Sequence, residues 1–303
     1  MNKAAHLYEE RFSMATYELK KEQKAFAFDR TIAPILEIES GDTVTFETGD
    51  AAYERLFKGE KVEDIGLENF NAVTGPVYVK GAQPGDALKI EINAVTVRRA
   101  WSVWLPGFGG LGAQTKDIRV KEIPLQDGLA HISDTVKTPI RTMIGCIGTA
   151  PAEGKGSTFM PAYPHGGNMD LREMEAGTTL YLPVLVPGAL LSMGDLHAAM
   201  GVAEPTWVSL EAAGSATLTI SVAAGMTLQY PRLRVGSSTY CLGMGETLEK
   251  AHQVALDAAY DLLIHEWKLD PFEAYAYASA AVDMKLGGPA NPIMLAVVPD
   301  LPE

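Results

Sequence analysis

The chain has only two cysteines, Cys146 and Cys241, among its 303 residues. Two thiols cannot build a disulfide framework or a cysteine-based zinc cluster, and a chain this long can bury a large core without such staples. Sparse cysteine fits a reducing, cytoplasmic setting. Long apolar runs are also missing. The nearest, LYLPVLVPGALLSMG, is broken by two prolines and two glycines, short of the roughly 18 apolar residues of a membrane span. The polar opening, MNKAAHLYEERFSMATYELKKEQ, has no apolar stretch of the kind that marks a secretory signal. No membrane association is therefore expected. Positive charge is scarce, with 25 Lys and Arg against 38 Asp and Glu, a net charge of -13. An acidic surface repels phosphate backbones, so no nucleic-acid partner is expected, and a small neutral or cationic molecule is favoured. Two catalytic signatures are absent. There is no Gly-x-Ser-x-Gly elbow of a serine hydrolase. The glycine-rich WLPGFGGLGAQ (residues 104–114) lacks the Gly-Lys-Ser/Thr ending of a phosphate loop. It reads as a plain surface loop.

What is present is mostly strand. ILEIESGDTVTFET alternates apolar and polar residues on both sides of a Ser-Gly-Asp turn. PVYVKGAQPGDALKIEINAVTVRR repeats the device, and a period of two puts Leu88, Ile90 and Ile92 on one face. Further strands are expected in TTLYLPVLVPGAL, SATLTISVAA and PRLRVG. Many short strands with Gly/Pro turns predict a mainly β, sandwich-like fold. Helix comes late. ETLEKAHQVALDAAYDLLIHEW carries Leu248, Ala251, Ala255, Ala258 and Leu262 at helical spacing. A second helix starts at Asp270 with Pro271 at N1 and Glu273 closing a capping box; Gly287 is its expected stop. The chain divides into an N-terminal β-rich part, residues 1–130, and a part with the site and the C-terminal helices, residues 131–303. The two can also form one continuous domain.

Two polar clusters stand out. SMGDLHAAMGVAEPTWVSLEAAG holds Asp195, His197, Glu204, Ser209 and Glu211. With DLHAAM as a strand, Asp195 and His197 point to one face. A three-residue loop, Val202 to Glu204, would set His197 opposite Ser209 and Asp195 opposite Glu211. Facing carboxylates repel, and a cation, a shared proton or solvation would each relieve them. Spacing alone leaves a structural hairpin the better reading, since short motifs recur by chance. The second cluster, YPHGGNMD, sets His165, Asn168 and Asp170 around Gly166 and Gly167, whose backbones are free to take positive φ. An Asx-type turn is its plain alternative. Cys146 and Cys241 lie in surroundings that give no reason for a lowered pKa and read as inert.

These segments together resemble the acetamidase/formamidase family. The similarity runs from IAPILEIESGDTVTFETGDA through NAVTGPVYVKGAQPGDALKIEI and IGCIGTAPAEG, and is densest in HGGNMDLREMEAGTTLYLPVLVPGALLSMGDLHAAMGVAE. The family's Gly-Gly-Asn-x-Asp is matched by Gly166, Gly167, Asn168 and Asp170. Its Gly-Asp-x-His-Ala motif is matched at Gly194, Asp195, His197 and Ala198, with Gly201, Glu204 and Glu211 beyond. Met200, Val202 and Ala203 depart from the pattern, where the family carries Gln, Asp and Gly. The resemblance implies a sandwich-like fold with C-terminal helices, self-association as a homodimer or higher homo-oligomer, and hydrolysis of small aliphatic amides to carboxylate and ammonia.

On that reading Asp195, His197 and Glu211 hold a divalent metal ion such as zinc, with Asp170 a further candidate ligand. Glu204 is the expected general base and Asp170 a second catalytic carboxylate. Asn168, Gly167 and Trp207 border the substrate, and the Gly166–Gly167 amides are candidate oxyanion donors. Core filling is the plainer role for Trp207. Two rival readings stand beside this one: a non-catalytic small-molecule binding protein on the same fold, and a metal-free site with Cys146 as nucleophile.

Overall fold

The computed structural model describes residues 14–302. The expectation of a signal-free start falls largely on residues 1–13, outside the described residues. Seven strands carry the site: β1 (Thr43–Thr48), β2 (Val73–Val79), β3 (Ala87–Trp104), β4 (Met143–Gly148), β5 (Gly166–Asn168), β6 (Leu191–Ala199) and β7 (Leu210–Ala223). They belong to a 16-stranded sheet whose main path runs β5–β4–β6–β7–β3. The path continues through Thr179–Pro183, Arg232–Val235, Ser238–Met244, Ile293–Pro299 and Asp283–Leu286, with β1 paired to β7 and β2 to β6 beside it. Every pairing along the main path is antiparallel.

The alternation seen in the sequence sets the faces. β1, TVTFET, buries Val44, Phe46 and Thr48 and half-exposes the residues between. Its Thr43 and Thr45 hydroxyls meet Thr219 and Thr217 of β7 at 2.9 Å each, fastening the two strands side by side. Leu88, Ile90 and Ile92 of β3 are buried together, as the period of two predicts. They share one cluster with Ile144 and Ile147 of β4 and with Leu233 and Leu242 far along the sheet. Strands remote in the sheet order can share a core only if the sheet folds over on itself, which makes the fold sandwich-like. The β3–β7 ladder also needs one glycine. A Cβ on Gly214 would lie 1.9 Å from the Thr96 carbonyl oxygen, and the register shifts between Ala213 and Gly214.

Of the three longer helices, α1 (Ala51–Phe57) sits by the site, while α2 (Leu248–Asp261) and α3 (Pro271–Ala281) come late in the chain. α2 buries Ala251, Ala255 and Ala259. These small residues let it lie close on Ser238–Met244, where a Cβ on Gly243 would meet the Ala251 carbonyl at 2.2 Å. Leu248 departs from its expected packing role and is half exposed, because it opens the helix one turn before the buried stripe settles on the sheet. α3 carries the expected capping box: Asp270 accepts from the Phe272 and Glu273 amides, with Pro271 at N1. Its expected stop at Gly287 is corrected. The helix ends at Ala281, Val282 is extended, and Asp283–Leu286 pairs with Ile293–Pro299 at the sheet edge. Ladder hydrogen bonds there outweigh the local preference for helix. Among the described residues, no helix is long and apolar enough to cross a membrane.

Candidate active site

Three local devices bring the polar side chains together. The first is a left-handed residue inside a strand, with the register unbroken around it. Across β4 and β6, Ile144 pairs with Leu196 and Cys146 with Gly194, which leaves Gly145 facing Asp195 outside the ladder. Asp195 takes φ +56 there, a left-handed conformation that costs a non-glycine residue roughly 1–3 kcal/mol. A Cβ on Gly145 would lie 2.5 Å from Asp195 Oδ2 and 2.7 Å from Asp170 Oδ1. Glycine at 145 is what lets both carboxylates come in.

The second device is the connection between β6 and β7. Its expected three-residue loop and the facing pair Asp195–Glu211 are corrected. β6 ends at Ala199 and β7 begins at Leu210, and His197, not Asp195, pairs with Glu211. The loop between takes positive φ at Ala203, Glu204 and Trp207, and the register shifts between His197 and Ala199. This irregular path turns Glu204 inward, where it is buried. Directly paired His197 and Glu211 share a face, and the left-handed Asp195 brings its carboxylate to the same imidazole.

The third device pins α1. Asp50 sits at the cap position yet makes no side-chain cap bond. Its carboxylate accepts from Arg99 Nε (2.6 Å), Arg99 Nη2 (2.9 Å) and Trp101 Nε1 (2.7 Å) on β3. Burial alone would raise that carboxyl, but these donors hold it below its usual value. α1 is thereby held over β3, and its Tyr53 hydroxyl donates to Glu211 Oε2 at 3.1 Å. Asn71 Nδ2 donates to Asp195 Oδ2 at 3.1 Å, and the Ser209 amide donates to Glu211 Oε1 at 2.9 Å. Tyr53, Asn71 and Gly145 were not read as site residues from the sequence. Only Gly145, a glycine inside the apolar run MIGCIG, left a local sign of itself.

The result is a buried cluster of Asp170, Asp195, His197, Glu204 and Glu211. His197 Nε2 lies 3.4 Å from Asp195 Oδ1, 3.4 Å from Glu211 Oε2 and 3.9 Å from Asp170 Oδ1. These are long for charge-assisted hydrogen bonds, which run near 2.7–2.9 Å. Two donors that share a tetrahedral zinc-sized ion sit roughly 3.4 Å apart, which matches. One donor atom from each of Asp170, Asp195 and His197, and likewise of His197, Glu204 and Glu211, falls within 4.8 Å of the others. Asp170 Oδ1 and His197 Nδ1 are buried with no hydrogen-bond partner. Donor types, spacing and the orphaned Asp170 Oδ1 fit a divalent cation.

Electrostatics show the same crowding. Burial, reinforced by the neighbouring carboxylates, pushes Glu204 up to about 8 and Asp195 up to about 6 against the opposing pull of His197. Burial, with Glu204 and Asp195 adding, also takes Asp170 well above the carboxylate range. Burial would raise Glu211 too, but His197 beside it brings it down to about 2. Burial would lower His197, yet Glu211 and Asp195 outweigh it and keep the imidazole charged well above its usual range.

A cavity of about 140 Å³ opens over this floor. Asn168 lines it beside Asp170, with its own Oδ1 unpartnered. The expected oxyanion role for the Gly166 amide meets a difficulty: that N–H is spent on the Tyr163 carbonyl at 2.9 Å. Gly167, at φ +108, serves the path of β5 that brings Asn168 to the cavity. Gly287, no helix stop, packs on Ile293 and Leu171, and Gly288 after it reaches the site. A Cβ on Gly288 would lie 2.1 Å from the Met169 carbonyl and 2.8 Å from Asp170 Cβ, so the loop can press against the site only as glycine.

Two loop expectations change. The glycine-rich segment 104–114 is not a plain surface loop: Leu105 and Phe108 line the cavity. Trp207 does not fill the core; it is 40% exposed at the cavity rim. Met200, Val202 and Ala203 do not line the cavity. Cys146 is buried outside it, donates to the Thr158 carbonyl at 3.3 Å, and is pushed well above the thiol range by burial. His165 is stacked on Tyr163, and burial pulls it down to about 4.

Fold and site define a mainly β protein with an imidazole–carboxylate cluster, able to hold a divalent ion, under an apolar cavity. Residues 15–155 and 152–240 match the Acetamidase/Formamidase family, and the chain belongs to it. It is 36% identical over 214 residues to the formamidase of Methylophilus methylotrophus, covering 50% of this chain and 52% of that protein. It is 32% identical over 207 residues to the acetamidase of Mycolicibacterium smegmatis, covering 47% and 51%. The chain spans about half the length of these curated relatives. Among solved structures it is similar to a recombinant predicted acetamidase/formamidase from Thermoanaerobacter tengcongensis, with TM-score 0.89 and 30% identity over 95% of this chain and 96% of that one.

Proposed function

We propose that this chain hydrolyses the C–N bond of a small amide to a carboxylate and ammonia. The observation that carries the reading is the 3.4 Å spacing of His197 Nε2 from both Asp195 Oδ1 and Glu211 Oε2, beside a buried Glu204 at the floor of the cavity. Asp195, His197 and Glu211 would hold a divalent ion, zinc by donor type, with Asp170 at its side. When bound, that ion would polarise the amide carbonyl and make water a better nucleophile. The remaining work falls to the chain's own groups. Glu204 takes a proton from the attacking water and passes it to the leaving nitrogen. Asn168 offers its side-chain amide to orient the carboxamide, and Asp170 is the second carboxylate at that end. Tyr53 and the Ser209 amide hold Glu211 in place. Trp207 shields the mouth.

The test is ammonia release across a panel of short amides. Glu204→Gln should lower kcat by about 10²–10⁴-fold while amide binding persists. Wild-type turnover in Glu204→Gln would remove its role. Self-association as a homodimer or higher homo-oligomer is part of the proposal. Phe272 and Tyr275, exposed on one face of α3, support it, and sedimentation of the purified chain checks it.

A further inference from the structure

The polar floor serves the carboxamide head of a substrate. It leaves most of the cavity unexplained. The cavity, of about 140 Å³, extends past the carboxylates and imidazole at its floor. The rest is walled by Leu56, Phe70, Leu105, Phe108, Phe159 and Trp207. The Trp207 indole N–H is the single polar atom among those six side chains.

Three of these residues come from separate loops and touch. Phe108 meets Trp207 edge to face, with ring centroids 5.4 Å apart and planes at 88°. Phe108 stacks on Phe159 at 6.3 Å and 28°. The loops that carry Phe108 and Trp207 are keyed to each other. A Cβ on Gly109 would lie 1.9 Å from the Thr206 carbonyl oxygen, and one on Gly110 would lie 2.4 Å from that of Pro205. Only glycine lets segment 104–114 rest on the turn that presents Trp207. Trp207 itself holds φ +62, which a bulky residue adopts only when its surroundings impose it. An aromatic cluster held this firmly at the mouth of a reactive pocket is built to meet something apolar.

We propose that the pocket selects primary amides with an apolar acyl group, aromatic or branched, over formamide and acetamide. The proposal rests on the amide-hydrolase reading of the same site: the floor takes the carboxamide and the aromatic mouth takes the acyl group. The bond chemistry is unchanged. The acyl C–N bond breaks, the water oxygen joins the acyl carbon, and its proton leaves with ammonia. Each methylene moved from water onto apolar walls strengthens binding about fourfold. A ring adds edge-to-face contact with Phe108 and Trp207.

Two measurements test this. One is kcat/KM for ammonia release from formamide, acetamide and phenylacetamide, using the metal-loaded protein. The other is equilibrium binding of acetamide and phenylacetamide to Glu204→Gln, which needs no turnover. Phenylacetamide should lead acetamide by about tenfold or more in both. Trp207→Ala and, independently, Phe108→Ala should bring that ratio below about threefold, so misfolding of one variant leaves the other as the test. Turnover of formamide and acetamide with no preference for phenylacetamide in either measurement would overturn the selectivity and leave the amidase reading standing. Preferential binding of phenylacetamide with no amide turned over would overturn the amidase reading and leave the selectivity standing. Equal or undetectable binding of both amides overturns the selectivity.

Discussion

Gly145→Ala tests how the cluster is assembled. The added methyl would sit 2.5 Å from Asp195 Oδ2, 2.7 Å from Asp170 Oδ1 and 2.9 Å from the Asp195 carbonyl oxygen. Carbon and oxygen rest at about 3.3 Å or more. The two carboxylates must therefore retreat by roughly 0.6–0.8 Å, while metal–ligand distances tolerate about 0.2 Å. The methyl enters a fully packed site, and overpacking of this kind costs about 1–3 kcal/mol. Purified Gly145→Ala should fold, lose bound divalent metal and ammonia release, and show a lower denaturant midpoint. Gly201→Ala is the control. Its Cβ meets nothing nearer than Pro205 Cδ at 3.6 Å, so stability and metal content should stay within error of wild type. Gly145→Ala protein with wild-type metal content and an unchanged midpoint would refute the reasoning.

Metal-free protein should be less stable at pH 9 than at pH 6. Glu204 is raised from 4.5 to about 8 and Asp195 from 3.8 to about 6, so the folded state binds protons the unfolded state has released. Their stabilisation, complete at low pH, is lost as pH rises through those folded values, and the raised His197 acts in the same sense. Thermal melts of chelated protein check this, and added metal should flatten the dependence because it replaces the protons. Tyr53→Phe removes the buried bond to Glu211 and should cost about 1.5–3 kcal/mol, read as a weaker metal affinity with the fold retained by circular dichroism. Cys146→Ser should keep turnover, since that thiol is buried outside the cavity and occupied by the Thr158 carbonyl; loss of ammonia release from folded protein would revive the cysteine reading. Asp270→Ala removes the α3 capping box and should lower stability by about 1 kcal/mol in urea unfolding.

The strands were legible where one face is buried and the other wet. β1 and the start of β3 announce themselves by alternation, and the α3 cap by Asp270, Pro271 and Glu273. Asp195, His197, Glu204 and Glu211 could be singled out from spacing joined to family resemblance, and they do converge. The pairing that joins them could not be read. An irregular connection and a register shift between His197 and Ala199 set the ladder so that His197, and not Asp195, meets Glu211. No period-two pattern encodes a left-handed non-glycine residue within a strand, or the path of an irregular loop. Tyr53 and Asn71 escaped because they reach the cluster from more than a hundred residues away in sequence, with no local motif around either. Phe108 escaped for a related reason: its glycines read as a loop, and the turn they fit against, at Pro205 and Thr206, is visible only in space.

The central claim is that Asp195, His197 and Glu211 hold a divalent ion that amide hydrolysis requires. Metal analysis and ammonia release on the same preparations of wild type and Asp195→Ala test it most directly. The account predicts stoichiometric divalent metal and turnover in wild type, with both lost together in Asp195→Ala and in chelated wild type. Chelated, metal-free protein that still releases ammonia at the wild-type rate would contradict it.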